Sequence, residues 1–84
     1  MESPKYKIGD LVRHINPYKE GSFMDGFVDS VEYNSAHNSY FYGVVVTSTT
    51  HALYKVNENI RFTESGILLI KSNKQIKIKT KFNY

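Results

Sequence analysis

An 84-residue chain without cysteine can build one core at most, and it can hold neither a disulfide staple nor a thiolate for catalysis or zinc binding. Its net charge is only +3, yet residues 1–70 carry all eight acidic residues and six basic ones, while residues 71–84 carry five lysines and no acid. Such an asymmetry points either to a polyanionic partner or to simple solubilising charge. A single domain over 1–84 is expected. No apolar stretch follows Met1 to Lys5, and the strongest apolar runs, 44–46 and 67–70, are far shorter than the roughly 20 residues of a membrane span. Neither a secretory signal nor a membrane partner is expected, and the cytoplasm is the expected compartment.

Tyr, Phe, Val, Ile and Thr are plentiful while Ala occurs only at 36 and 52, which favours strands over helices. The first expected strand lies in residues 6–15, where Gly9-Asp10 suits a turn and Asn16-Pro17 ends the run. Residues 18–25 read as a loop from which Phe23 or Met24 tucks back onto the core. A second strand is expected from Gly26. Its apolar pair Val28 and Val31 is three apart, which breaks strict alternation and calls for a β-bulge. Residues 34–39 are turn formers and predict a hairpin loop. Residues 40–47, apolar on both faces, predict a central strand in which Gly43 marks a bend. Residues 51–56 are expected to form a fourth strand and 67–70 a short closing one. Beyond them Ile76, Ile78, Thr80 and Phe82 alternate with Lys77, Lys79, Lys81 and Asn83, the pattern of an amphipathic sixth strand.

The phrases Lys7-Ile8-Gly9-Asp10-Leu11-Val12-Arg13 and Gly26-Phe27-Val28-Asp29-Ser30-Val31, with the ending Phe62-Thr63-Glu64-Ser65-Gly66-Ile67, resemble the small SH3-like barrels of the KOW, Tudor and hemimethylated-DNA-binding type over residues 6–70. The resemblance implies an all-β fold: one small barrel of five to six antiparallel strands over 6–70, followed by a Lys-rich C-terminal strand or tail over 71–84. It also implies a binding module, because these barrels engage nucleic acid, ribosomal or polymerase partners, or peptides. A fold alone does not fix a ligand.

No catalytic residue, metal site or cofactor is expected. His14, His37 and His51 lack paired ligand spacing, no Gly-x-Ser-x-Gly elbow occurs, and the five glycines are isolated rather than gathered into a phosphate loop. Aromatic side chains can stack on bases or fill a core. Phe27, Phe41 and Phe62 are expected inside, whereas Tyr40, Tyr42 and Tyr54 either bury their rings and leave their hydroxyls wet or form an exposed stacking surface, with Tyr40 and Tyr42 as its candidates for base contact. Lys71, Lys74, Lys77, Lys79 and Lys81, joined by Arg13, would contact phosphates; lysines two apart on a strand recur at about 6.6 to 7 Å and can follow a nucleic-acid backbone.

Two functions remain open. One is a non-catalytic accessory or regulatory protein that binds nucleic acid, RNA or DNA, through the basic end. The other is a protein-interaction module, such as a small viral or bacterial regulator or inhibitor docking on a host enzyme. The apolar side of residues 76–82 needs a cover, which also keeps a homodimer open.

Overall fold

The computed structural model describes residues 3–72 and is all-β. Five strands form one open antiparallel sheet: β1 (Leu11–Ile15), β2 (Phe23–Asn34), β3 (Ser39–Thr49), β4 (Asn59–Thr63) and β5 (Leu68–Lys71), with one 3-10 turn, Glu64–Gly66, between β4 and β5. The strand order is β4-β3-β2-β1-β5, so four strands run as a meander and the fifth returns beside the first. Residues 73–84, with the expected amphipathic strand and Lys74, Lys77, Lys79 and Lys81, lie outside the described residues.

Alternation decides which side of the sheet is filled. Val12, Met24, Val28, Val44 and Val46 are buried together with Tyr42 and Phe62, and Tyr6 and Ile67 close over them from the segments flanking the sheet. The expected bulge is present: Val28 pairs with Val44 and Ser30 with Gly43, leaving Asp29 as the extra residue. That insertion restores Val31 to the inner face, opposite Tyr42. Gly43 is needed at this point, since a Cβ there would collide with the Ser30 hydroxyl and sit 2.8 Å from Asp29 Oδ1.

The amino-terminal turn follows from its residues. Gly9 takes φ 94°, Lys7 N–H donates to Asp10 Oδ2 at 3.0 Å, and Gly9 N–H donates to the Val28 carbonyl at 2.8 Å. The left-handed conformation suits glycine, and the aspartate side chain closes the turn.

Three expectations are corrected. Residues 51–56 form turns rather than a strand, because Thr49 Oγ1 accepts the His51 N–H at 2.9 Å, Tyr54 N–H donates to the His51 carbonyl at 3.2 Å, and Asn57 takes φ 75°. Local side-chain bonds of this kind divert backbone groups from a ladder. The strand that pairs with β3 is Asn59–Thr63, whose Ile60 and Phe62 meet Val44 and Tyr42. The second strand begins at Phe23, not Gly26, so Met24 enters the core as a strand residue. Phe27 points away from the core and is 41% exposed, because Val28 occupies the inward position next to it, and Phe41 is half-buried on the same outer face as Phe27. Only Phe62 of the three phenylalanines is a core residue.

Gly26 sits where β2 and β3 approach most closely: an added Cβ would strike the Val45 carbonyl oxygen and lie 2.6 Å from Val44 Cγ1. Backbone cannot yield as a flexible side chain can, so Gly26→Ala is expected to cost about 1–3 kcal/mol, as overpacking generally does. A urea titration checks this through a lowered midpoint at unchanged slope; an unchanged midpoint would mean that the two strands separate freely there.

Candidate functional site

The register places a row of side chains across the outer face. Lys71 of β5 pairs with Leu11 of β1, Leu11 with Phe27 of β2, Phe27 with Val45 of β3, and Val45 with Asn59 of β4. Residues paired across antiparallel strands share a face, so an apolar stripe of Leu11, Phe27 and Val45 runs between Lys71 and Asn59. Arg13 sits one step along β1 on the same face.

At one end of this row β5 forms a sheet edge, and it has no strand partner on its outer side among the described residues. Leu68, Leu69 and Ile70 are 42%, 46% and 42% exposed. An apolar edge strand with unpaired backbone groups is a template for another strand, and natural edges are ordinarily blunted by charge or cover. Between Lys71 and Leu11 the pairing skips Ile70, a bulge that brings Lys71 opposite Leu11. Lys71 and Ser72 then border a hollow of about 190 Å³ whose other walls are Gly9, Leu11 and Phe27.

The expected phosphate contacts fare unevenly. Arg13 Nε and Nη2 donate to Asp25 Oδ1 and Oδ2 at 2.7 and 3.0 Å, and its guanidinium lies 4.1 Å from the centre of the Phe23 ring. The hydrogen bond to Asp25 raises the guanidinium pKa above its ordinary value. Arg13 is thus committed to a forked pair that an incoming phosphate would have to displace. Lys7 pairs with Asp10 at 3.9 Å, and Arg61 pairs with Glu32 while resting 5.3 Å over Phe41. Residues 3–72 hold seven acidic and seven basic residues, so the described sheet has no net charge with which to attract a polyanion.

The tyrosines separate. Tyr42 is fully buried and belongs to the core, which takes it out of any exposed stacking surface. Its hydroxyl accepts the Lys5 and Tyr6 N–H groups at 3.0 and 3.3 Å and donates to Glu64 Oε2 at 2.5 Å. Tyr40 is half-buried, its ring edge-on to Tyr33 at 5.2 Å near the β2–β3 hairpin. The structure therefore does not bring Arg13, Tyr40, Tyr42 and Lys71 together as one surface.

The spacing of the histidines predicts no pairing among them, yet two of them meet. The His14 and His51 rings are 6.2 Å apart, with Tyr54 edge-on to His14 at 5.9 Å and Phe62 stacked on it at 4.8 Å. His14 Nδ1 lies 2.7 Å from the Gly66 carbonyl, which can only accept, so this nitrogen carries the proton. The signal was available in part: His14 shares the inward parity of Val12. Nothing local announced that the turn at 51–54 would fold back onto it.

Among the described residues, no group of three or more His, Cys, Asp or Glu side chains is placed to hold a metal ion, and no helix is long and apolar enough to cross a membrane. Compared with known proteins, the chain matches no family model, no curated protein and no solved structure.

Proposed function

We propose that the chain is a non-catalytic protein-interaction module of small SH3-like barrel type, which docks a partner along β5 and the adjoining outer-face stripe of Leu11 and Phe27. The observation that carries this reading is β5 itself: three consecutive apolar residues, each more than two-fifths exposed, on a sheet edge with no further strand among the described residues. The strand order, the bulged second strand and the tight turn before the closing strand support the barrel type. A second reading, nucleic-acid binding, is favoured by one feature only, the five lysines and absent acids of residues 71–84.

Affinity capture with the full chain separates the two. Expected is a protein partner that survives nuclease treatment, is lost with Phe27→Ser combined with Leu68→Glu, and is retained when Lys77, Lys79 and Lys81 are all replaced by Ala. The reverse pattern belongs to nucleic acid: binding removed by nuclease and by the triple lysine variant, and falling roughly forty-fold between 50 and 200 mM salt if three duplex phosphates are contacted.

A further inference from the structure

We infer that the hollow bounded by Gly9, Leu11, Phe27, Lys71 and Ser72 is a recognition pocket for an extended acidic peptide, one that pairs with β5 and presents a long apolar side chain two residues from a carboxylate. This deepens the docking reading and rests on it.

Three observations converge on that ligand. Among the described residues the outer edge of β5 has no strand beside it and offers backbone groups to a strand, which is how edge-adding peptides gain affinity without sequence preference. The hollow, about 190 Å³ with Leu11 and Phe27 in its walls, supplies the sequence preference for an apolar group. Neighbouring strands lie about 4.8 Å apart, so a strand added outside β5 stands two spacings from β1, and only a long side chain leaning over β5 meets the hollow, at its Lys71 and Ser72 border. That span excludes short residues and Leu and selects Met or Phe.

Lys71 decides the charge. It is the one charged residue lining the hollow, and none of the ion pairs among the described residues involves it. The bulge at Ile70 brings it opposite Leu11, and it lines a hollow whose other walls include Leu11 and Phe27. A carboxylate is the complement of an ammonium in that position, and a second cation is excluded by repulsion. Side chains two apart on a strand face the same way at about 6.6 to 7 Å, so an acid two residues from the apolar anchor lies on the same face as that anchor.

The test uses the full chain and three fluorescein-labelled eight-residue peptides repeating phenylalanine-serine-X-serine, with X glutamate, glutamine or lysine so that anchor and charge stand two residues apart, followed by fluorescence anisotropy. The glutamate peptide is expected to bind about tenfold tighter than the glutamine peptide, in keeping with a charge-assisted hydrogen bond, and tighter still than the lysine peptide. Lys71→Glu should invert that order. Replacing Lys77, Lys79 and Lys81 together by Ala should leave the glutamate peptide within about twofold of wild type. Equal binding of the glutamate and glutamine peptides would overturn the carboxylate site while leaving edge docking intact. Loss of acid preference in the triple lysine variant but not in Lys71→Glu would assign the charge recognition to the basic end and overturn it too. Failure of all three peptides to bind would overturn the pocket, whereas the docking reading falls only with the capture experiment.

Discussion

Val44→Asp should abolish the cooperative unfolding transition. Val44 is fully buried at the middle of β3, paired with Val28 on one side and Ile60 on the other. Among the described residues Val44 packs in a hydrophobic cluster, and an uncompensated buried charge there costs about 3–5 kcal/mol or forces the group to take up a proton. Small domains are held by only about 5–15 kcal/mol, and this one has no disulfide to limit the unfolded ensemble. Circular dichroism during heating is the measurement. A Val44→Asp protein melting within a degree or two of wild type would place Val44 at the surface and shift the register of β3 by one residue.

The second large effect is expected at Tyr42. Removing the ring, Tyr42→Ala, should cost about 3–5 kcal/mol as large aromatic truncations in cores do. Removing the hydroxyl alone, Tyr42→Phe, should cost about 1–3 kcal/mol, because the buried Tyr6 N–H loses its acceptor. The Lys5 N–H keeps Glu64 Oε2 at 3.0 Å.

The same hydroxyl ties stability to pH. Burial, then the bond to Glu64, pushes the Tyr42 pKa up from 10.0 to about 12. Folding therefore favours the protonated phenol: its contribution is complete below pH 10 and is lost as pH rises toward 12. The Glu64 carboxyl is shifted the other way, lowered by the Tyr42 hydroxyl and then by the Lys5 N–H. Its contribution is complete above the ordinary carboxylate range and is lost as pH falls through the lowered value. Tyr42→Phe should shrink both limbs of the stability profile measured by urea unfolding from pH 3 to 11. An alkaline limb as steep in Tyr42→Phe as in wild type would assign that limb to other tyrosines.

The residues that made the fold legible are those whose spacing admits one solution. Val28 and Val31 cannot both face inward on a regular strand, so the bulge followed from two positions, and Gly43 opposite it was readable as a bend. Residues 34–39 carried their turn chemistry openly. Residues 51–56 did not: their composition suits a strand, and what prevents one is the hydroxyl of Thr49 binding its near neighbours, a competition that residue preferences do not register. Phe27 has the size and apolarity of a core residue, yet strand parity with the inward Val28 turns it outward. For the site, Lys71 was legible as a cation but not as the border of a hollow, since Gly9, Leu11 and Phe27 come together only through the pairing of β1 with β2 and β5. For Tyr42 the residue type leaves a buried and a surface place open, and its pairing with Phe62 and three hydrogen bonds make it a structural post.

The position of β5 beside β1 also governs when the molecule can form. Residues 11–13 find their partners at 68–71, and Tyr6 donates its hydroxyl to the Ile67 carbonyl across 61 positions of sequence. The β2–β3 hairpin is local and needs only a four-residue turn, so it is free to zip early, on the microsecond scale of hairpins. Only the pairing of β1 with β5 must wait for a long loop to close, and that step places the chain among slower, topology-limited folders. During synthesis a ribosome-bound chain that has not yet exposed Lys71 holds the hairpin but lacks the strand that seals β1. Until then the inner face of Val12 stays open on that side, and a nascent chain stalled before residue 68 would be a substrate for chaperones.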